Sequence, residues 1–149
     1  MEVSGTIGEI VRNKGVAIWS VSPDARVFDA IQLMSDKNIG AVLVMDGETL
    51  VGILSERDYT RKVALKGKSS KETPVRDIMT DTVLTTTPRS SVEDCLRIMT
   101  DSRVRHLPVI ENGKVVGVIS IGNLVNWVIS AQTSTIRQLE SYIAGGYSA

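Results

Sequence analysis

The first residues with an evident chemical use are a serine and an aspartate at the predicted junction of a strand and a helix. They stand in the run Ser55-Glu56-Arg57-Asp58. In one interpretation they form a capping box, in which Ser55 accepts a hydrogen bond from an early helical N–H and Asp58 favours the helix dipole. In the other, the ionised carboxylate of Asp58 accepts hydrogen bonds from the two vicinal hydroxyls of a ribose. The two interpretations are compatible, because a helix N-terminus also favours an anion nearby.

Basic residues supply the second chemical candidate. Arg105 and His106 begin a predicted strand in the second half of the chain. The planar guanidinium of Arg105 suits phosphate, because it bonds two oxygens at once, and His106 can add charge beside a bound phosphate. The alternatives are an exposed arginine and a partly buried, satisfied imidazole. A longer phosphate chain could contact further basic residues, which otherwise form a solvated helix face. These residues are Arg57, Arg61, Lys62, Lys66 and Lys68.

Catalytic chemistry has little support. The chain holds one His and one Cys, and it contains no G-x-S-x-G elbow, Walker loop or G-x-G-x-x-G motif. Acid–base and nucleophilic catalysis need a base within reach of a nucleophile, and Cys95 falls on an apolar helical stripe where it packs as a core residue. One Cys and one His cannot supply a structural zinc site. We therefore expect neither an enzyme nor a metal protein.

The composition argues against a nucleic-acid-binding protein and against a membrane protein. The chain has 149 residues, 42% hydrophobic and 23% charged, with 17 basic against 17 acidic residues. This balance provides no global field for nucleic acid or an anionic membrane, and 4% aromatic content offers little base stacking. No apolar run reaches the roughly 20 residues that span a bilayer, and the start lacks a signal peptide. We expect a protein of the cytoplasm or an organelle matrix.

The two halves of the chain repeat one another. Setting Pro23 over Pro88 gives an offset of about 65 residues that holds without gaps. Under this offset Gly52 falls on Gly117, and the matched pairs at the chemical positions are Ser55 with Ser120 and Asp58 with Asn123. Asn has one acceptor oxygen, so Asn123 cannot copy a carboxylate that accepts two hydroxyl protons. We expect one good site at Asp58 and a weak or empty one at Ser120 and Asn123.

Hydrophobic periods predict the elements that position these residues. Apolar residues at helical spacing follow Val27 and Val92, and Ser90 with Glu93 suggests a capping box for the second helix. Each helix precedes a hairpin, with Asp46-Gly47 or Asn112-Gly113 at its turn, and a second helix. The pattern therefore predicts the order strand, helix, strand, strand, helix in each half. Thr73-Pro74 predicts a short helix through Met79, with residues 6–10 as its first-half equivalent. The predicted segments are 1–66, the linker and short helix 67–81, and 82–149.

The run from Val51 to Asp58, its partner from Val116 to Asn123, and Arg105-His106-Leu107-Pro108-Val109 resemble the hallmark segments of tandem cystathionine-β-synthase (CBS) domains. The linker from Gly67 to Lys71 and the ending Tyr142 to Tyr147 resemble the small single-pair CBS proteins. The resemblance implies an α/β fold of the α+β type, in which two tandem repeats pack sheet to sheet with pseudo-two-fold symmetry. It also implies a homodimer and clefts that take AMP, ADP, ATP, NAD(H) or S-adenosylmethionine.

The resemblance further implies a role for each site residue. Asp58 of one repeat would hold the ribose, and Arg105 and His106 of the other would meet the phosphate, which favours phosphate-bearing ligands over the cationic S-adenosylmethionine. The adenine needs an apolar slot. The candidates for that slot, each of which is otherwise an ordinary core residue, are Ile18, Val21, Pro23 and Ile53.

A dimerisation or interaction scaffold is the rival function. The long predicted helix from about Leu124 to Ile143 offers a surface for a partner or a second copy. Asp58, Arg105 and His106 favour ligand binding, because a scaffold needs none of them. We expect no effector domain in this chain, so a nucleotide sensor of this kind would regulate a separate, unidentified protein through a shift between conformations.

Overall fold

The structure is a computed structural model that describes residues 4–14 and 18–143. The outer ends of the predicted segments, and part of the ending from Tyr142 to Tyr147 that carries the resemblance, lie outside the described residues.

The first repeat begins at a short strand and ends in a helix. Its elements are β1 (Ser20–Val21), α2 (Val27–Lys37), β2 (Ala41–Asp46), β3 (Thr49–Ser55) and α3 (Glu56–Tyr59), which continues as a π-helical turn over Thr60–Ala64. β1 pairs with β2 in parallel, and β2 pairs with β3 in antiparallel fashion. The predicted second helix thus exists, but it is mostly π-helical.

The second repeat has the same order with a weaker first strand. Its elements are α4 (Val92–Ser102), β4 (His106–Glu111), β5 (Lys114–Ser120) and α5 (Ile121–Ser141). In place of a first strand, Thr86 forms an isolated parallel bridge with Val109. The two repeats confirm the predicted α+β class. The first repeat confirms the predicted order of elements, and the second confirms it from α4 onward but has no first strand among the described residues.

Both hairpins place the beginning of one strand beside the end of the next. Ala41 lies opposite Ser55 in the first hairpin, and His106 lies opposite Ser120 in the second. At the second turn Asn112 and Gly113 both have positive φ, at 51° and 76°, as a two-residue type I′ turn requires. The first loop is Gly47-Glu48, so Asp46 is the last residue of β2 and the turn lies one residue later than predicted.

Two hydrophobic cores form, one for each repeat, and each borrows a segment from outside its own repeat. Helix α1 (Ile7–Lys14) sends Ile7 and Ile10 into the core of the second repeat, where they pack with residues such as Leu124. The 3-10 turn Val75–Asp77 lies in the matching place on the first repeat, where Val75 is fully buried. The equivalence expected between residues 6–10 and the segment before the second repeat is therefore visible in the packing.

Two local expectations are wrong. Ser91, not Ser90, caps α4, because its hydroxyl accepts from the Asp94 N–H at 3.0 Å while Ser90 bonds within the preceding turn around Thr87. The segment after Thr73 is a 3-10 turn with Pro74 at its N-cap position, and the Thr73 hydroxyl donates back to the Ser69 carbonyl at 2.7 Å. In each place the N-cap lies one residue later than predicted.

The two repeats face each other. Ile53 of β3 and Val118 of β5 line one cavity between the sheets. Arg57, at the start of α3, donates a hydrogen bond to the Arg103 carbonyl at 3.2 Å and so joins the repeats at the edge of this interface. That edge contains the predicted site.

Candidate functional site

Asp58 and Ser55 form the predicted capping box. The Asp58 N–H donates to Ser55 Oγ at 3.1 Å, and the Ser55 N–H donates to Asp58 Oδ2 at 3.0 Å. The Ser55 hydroxyl also donates to Oδ2, at 3.1 Å. These bonds fix the orientation of the carboxylate before any ligand arrives, which is the arrangement that a preorganised binding site needs.

The other oxygen of Asp58 has two further donors. Thr80 Oγ1 donates to Oδ1 at 3.2 Å, and the Lys62 ammonium lies 3.1 Å from the same oxygen. Lys62 also donates to the Ile78 carbonyl at 3.0 Å. The Asp58 side chain is only 14% exposed, so these donors satisfy a charge that is largely removed from water.

A cleft of about 470 Å³ opens at this carboxylate between the two repeats. This volume lies within the range of small-molecule sites. Of the predicted site residues, the cleft brings together Ile53, Ser55, Arg57, Asp58, Arg105 and His106. Its other lining residues are Gly40, Glu56, Arg61, Thr80, Thr82, Val83, Leu84, Arg103 and Val104.

Three of the residues suggested for the adenine slot lie elsewhere. Among the described residues that line the cleft, Ile18, Val21 and Pro23 are not found. Val21 packs against the core of the first repeat, and the Pro23 carbonyl accepts from the Arg76 N–H at 3.0 Å. The apolar wall beside Asp58 instead includes Val83 and Leu84, which precede the second repeat.

The position of Val83 and Leu84 follows the internal repeat. Under the offset of about 65 residues they match Ile18 and Trp19, and Trp19 lines the second cleft. The segment that enters each repeat therefore faces the strand-to-helix junction of the other repeat. This exchange was not predicted from the sequence, although the offset of about 65 residues indicates it once the two repeats are known to face each other.

Basic side chains concentrate in the cleft of Asp58. Four arginines line it, of which Arg57 and Arg61 come from the first repeat and Arg103 and Arg105 from the second. Glu56 and Asp58 are the acidic residues of the same wall. Arg103, which lies at the end of α4 and has positive φ, at 55°, was not predicted from the sequence as a site residue. Opposed arginines of this kind can grip a multiply charged anion from two sides.

The second cleft, of about 340 Å³, has the same architecture without the charge. Asn123 forms a capping box with Ser120, in which the Ser120 N–H donates to Asn123 Oδ1 at 2.9 Å. The positions that match the four arginines hold Asn38, Gly40, Gly122 and Asn126. His106, Gly40 and Ile53 line both clefts, so the two cavities adjoin.

The lone cysteine lies away from both clefts. Cys95 is fully buried within the core of the second repeat, and its sulfur lies 3.2 Å from Thr86 Oγ1. Burial raises the pKa of the Cys95 thiol, the hydrogen bond to Thr86 lowers it, and the charge of Asp94 raises it further. A buried, protonated thiol is a poor nucleophile.

Comparisons with known proteins agree on one family. The family model for the CBS domain matches residues 7–65 and 75–130. The chain is 38% identical to the mitochondrial CBS domain-containing protein CBSX3 of Arabidopsis thaliana, over 99% of this chain and 78% of that protein. In the part of the chain that the structure describes, no helix is long and apolar enough to cross a membrane.

Solved structures show the same likeness. The crystal structure of the CBS domain NE2398 is 46% identical to this chain, with a TM-score of 0.82, and covers 85% of this chain and 99% of its own. A hexameric CBS-CP12 protein from bloom-forming cyanobacteria is 28% identical, with a TM-score of 0.74, over 84% of this chain and 72% of its own.

Proposed function

The chain belongs to the CBS-domain family, and we propose that it is a regulatory module that binds an adenine nucleotide between its repeats. One observation carries the proposal: a preoriented carboxylate, Asp58, and four arginines line the same inter-repeat cleft. A carboxylate suits a ribose diol, and arginines suit phosphate oxygens. A ligand that uses both the carboxylate and the arginines must contain both a ribose and a phosphate.

The chemistry of the cleft favours AMP, ADP, ATP or NAD(H). All of these ligands carry phosphate, which the arginines attract. S-adenosylmethionine carries a positive sulfonium, which the same arginines repel, so we place it last. Thr82 and Val83 lie on the wall with Ile53 and supply polar and apolar surface for a base.

We propose one ligand for each chain. The cleft at Ser120 and Asn123 has neither the carboxylate nor the arginines of the first. Its Asn123 amide has one acceptor oxygen and an NH2 group that only donates, so it cannot accept both ribose hydroxyls in the way that a carboxylate can. A nucleotide there would lose both the bidentate ribose contact and the phosphate contacts.

Regulation would follow from the position of the cleft. A ligand that contacts Asp58 of one repeat and Arg105 of the other favours the relative arrangement of the repeats that fits it best. A ligand shifts such an equilibrium by its differential affinity for the two arrangements. We propose that a homodimer of this chain presents the altered surface to a separate regulated protein, in the cytoplasm or an organelle matrix, with no catalytic step of its own.

Isothermal titration with AMP, ATP, NADH and S-adenosylmethionine tests the proposal. The informative variant is Asp58→Asn, because Asn123 shows that asparagine keeps the capping box in this fold. We expect saturable binding of a phosphate-bearing ligand at about one per chain, with a loss of about tenfold or more in the variant. Asp101→Asn is the matched control, since Asp101 is exposed on α4 and does not line the cleft.

A scaffold without a physiological nucleotide is the second candidate. Exposed apolar side chains along α5 favour it, among them Ile129, Ile136 and Leu139, each more than half exposed. If a folded oligomer of the wild type binds none of the four ligands, the nucleotide proposal fails and the scaffold function takes its place. Sedimentation of the wild type beside Ile136→Ser then tests whether α5 holds the copies together.

A further inference from the structure

The acceptor capacity of the Asp58 carboxylate is fully used in the unliganded chain. An ionised carboxylate offers about four lone-pair positions. Oδ2 accepts from the Ser55 N–H and hydroxyl at 3.0 and 3.1 Å, and Oδ1 accepts from Thr80 Oγ1 and Lys62 Nζ at 3.2 and 3.1 Å. A ribose that donates two hydroxyl protons to this carboxylate must therefore displace donors that are already in place.

The four donors differ in how readily they leave. The Ser55 N–H belongs to the capping box at the start of α3, so its loss would disrupt the helix N-terminus. A hydroxyl such as that of Thr80 can rotate its proton to another acceptor. Lys62 has a long flexible stem and is 42% exposed, so its ammonium can return to water when a ribose hydroxyl takes its place on Asp58.

We infer that Lys62 is an internal competitor of the ligand ribose. In the unliganded chain its ammonium lies 3.1 Å from Asp58 Oδ1 and so uses one of the acceptor positions that a ribose hydroxyl requires, and ligand binding breaks this ion pair. The inference rests on the proposed nucleotide site and deepens it, because it assigns to Lys62 control over affinity and over discrimination between sugars. The matching position of the second repeat is Trp127, so this competition belongs to one cleft alone.

The consequence is a specific coupling between Lys62 and the sugar hydroxyls. A ligand with both hydroxyls must break the ion pair, whereas a ligand without them can leave it intact. Removal of the ammonium should therefore strengthen binding of the ribose form relative to the dideoxyribose form. A change in phosphate attraction would alter the affinity of both ligands alike and cancel in their ratio.

The test measures the dissociation constants of ATP and 2′,3′-dideoxy-ATP by titration calorimetry on wild type, Lys62→Met and Lys66→Met. The exposed Lys66 follows Lys62 by four positions and forms no ion pair with Asp58 among the described residues, so Lys66→Met controls for the loss of one positive charge. We expect the preference for ATP over its dideoxy form to rise about two- to fivefold in Lys62→Met, in keeping with a partly exposed ion pair. Lys62→Arg, which retains a cation at this place, should keep the wild-type ratio.

An unchanged or reduced preference in Lys62→Met would overturn the competitor role, while ATP binding by the wild type would leave the proposed function standing. The same change in Lys66→Met would also overturn it, since the effect would then be one of general charge. Failure of the wild type to bind either nucleotide would instead remove the proposed function and this inference with it.

Discussion

The side chain of Asp58 combines a structural and a proposed functional role. Its hydrogen bonds to Ser55 start α3, and its second oxygen accepts from Thr80 and pairs with Lys62. Asn123 retains the structural half of this arrangement. The difference between the two repeats at this position is therefore one of charge and acceptor capacity rather than of backbone geometry.

The burial of Cys95 leads to a second prediction about a single residue. We expect a disulfide reagent to label the native thiol far more slowly than the unfolded one, because the side chain is fully buried and its pKa is raised by desolvation. The folded state holds the thiol proton to a higher pH than the unfolded chain does. Above the unfolded thiol pKa of about 8.5, the unfolded chain binds fewer protons, so the free energy of unfolding falls as pH rises.

Urea unfolding between about pH 7 and 10 measures the contribution of the Cys95 thiol to the free energy of unfolding. The contribution is fully present below the unfolded pKa and declines above it, so the wild type should lose more stability over this range than Cys95→Ala does. Rapid labelling of the native protein, or parallel pH profiles for the two proteins, would contradict the assignment.

At the scale of elements, β3 and the segment after the 3-10 turn determine the shape of the cleft. Ile53 and Thr80 exchange backbone hydrogen bonds of 2.9 and 3.0 Å, and this bridge carries the Thr80 hydroxyl to Asp58. Gly52 permits the close approach. A Cβ there would lie 2.7 Å from Met79 Sδ and 3.0 Å from the Thr80 carbonyl oxygen.

Substitution of this glycine should therefore affect both stability and the site. We expect Gly52→Ala to lower the free energy of unfolding by about 1–3 kcal/mol through overpacking, and to weaken nucleotide binding by displacing Thr80. The equivalent Gly117→Ala is the control, because its Cβ would approach only the Val11 methyl groups, at 3.3 Å or more, far from Asp58. Equal effects of the two variants on ligand affinity would show that Thr80 has no part in the site.

At the scale of the whole molecule, the chain joins its repeats by exchanging segments. Helix α1 precedes the first repeat in sequence but completes the core of the second, and the segment around Val75 does the reverse. Neither repeat has a complete core from its own residues. The two repeats should therefore unfold together rather than as independent domains.

Truncation of one borrowed side chain tests this coupling. We expect Ile7→Ala to reduce the free energy of unfolding by about 2–5 kcal/mol, because Ile7 is fully buried among residues of the second repeat. Leu65→Ala, at a residue that is 76% exposed, should change it by less than about 0.5 kcal/mol. Urea unfolding gives both values, and a loss below about 1 kcal/mol for Ile7→Ala would mean that the second core stands without α1.

The sequence by itself determined the repeat, the α+β order of elements and the pairing of Ser55 with Asp58. The repeat is visible directly as an offset of about 65 residues. The elements and the capping box depend on local spacing: apolar residues every three to four positions, Asn112-Gly113 at a turn, and a serine three residues before an aspartate. Local hydrogen bonds enforce them wherever the segment lies. The offset between the halves also predicted, from Asn123 alone, that the two clefts would differ.

Only the tertiary structure decided which of the two segments that precede the repeats lies beside the strand-to-helix junction at Asp58. Val83 and Leu84 line the cleft of Asp58 while Ile18 and Pro23 do not, and Arg103 joins Arg105 there. Because the two repeats are nearly equivalent in pattern, either could supply the apolar wall as far as local spacing is concerned. The choice depends on burying both sheet faces and both borrowed segments at once, and that condition involves contacts between residues far apart in the chain.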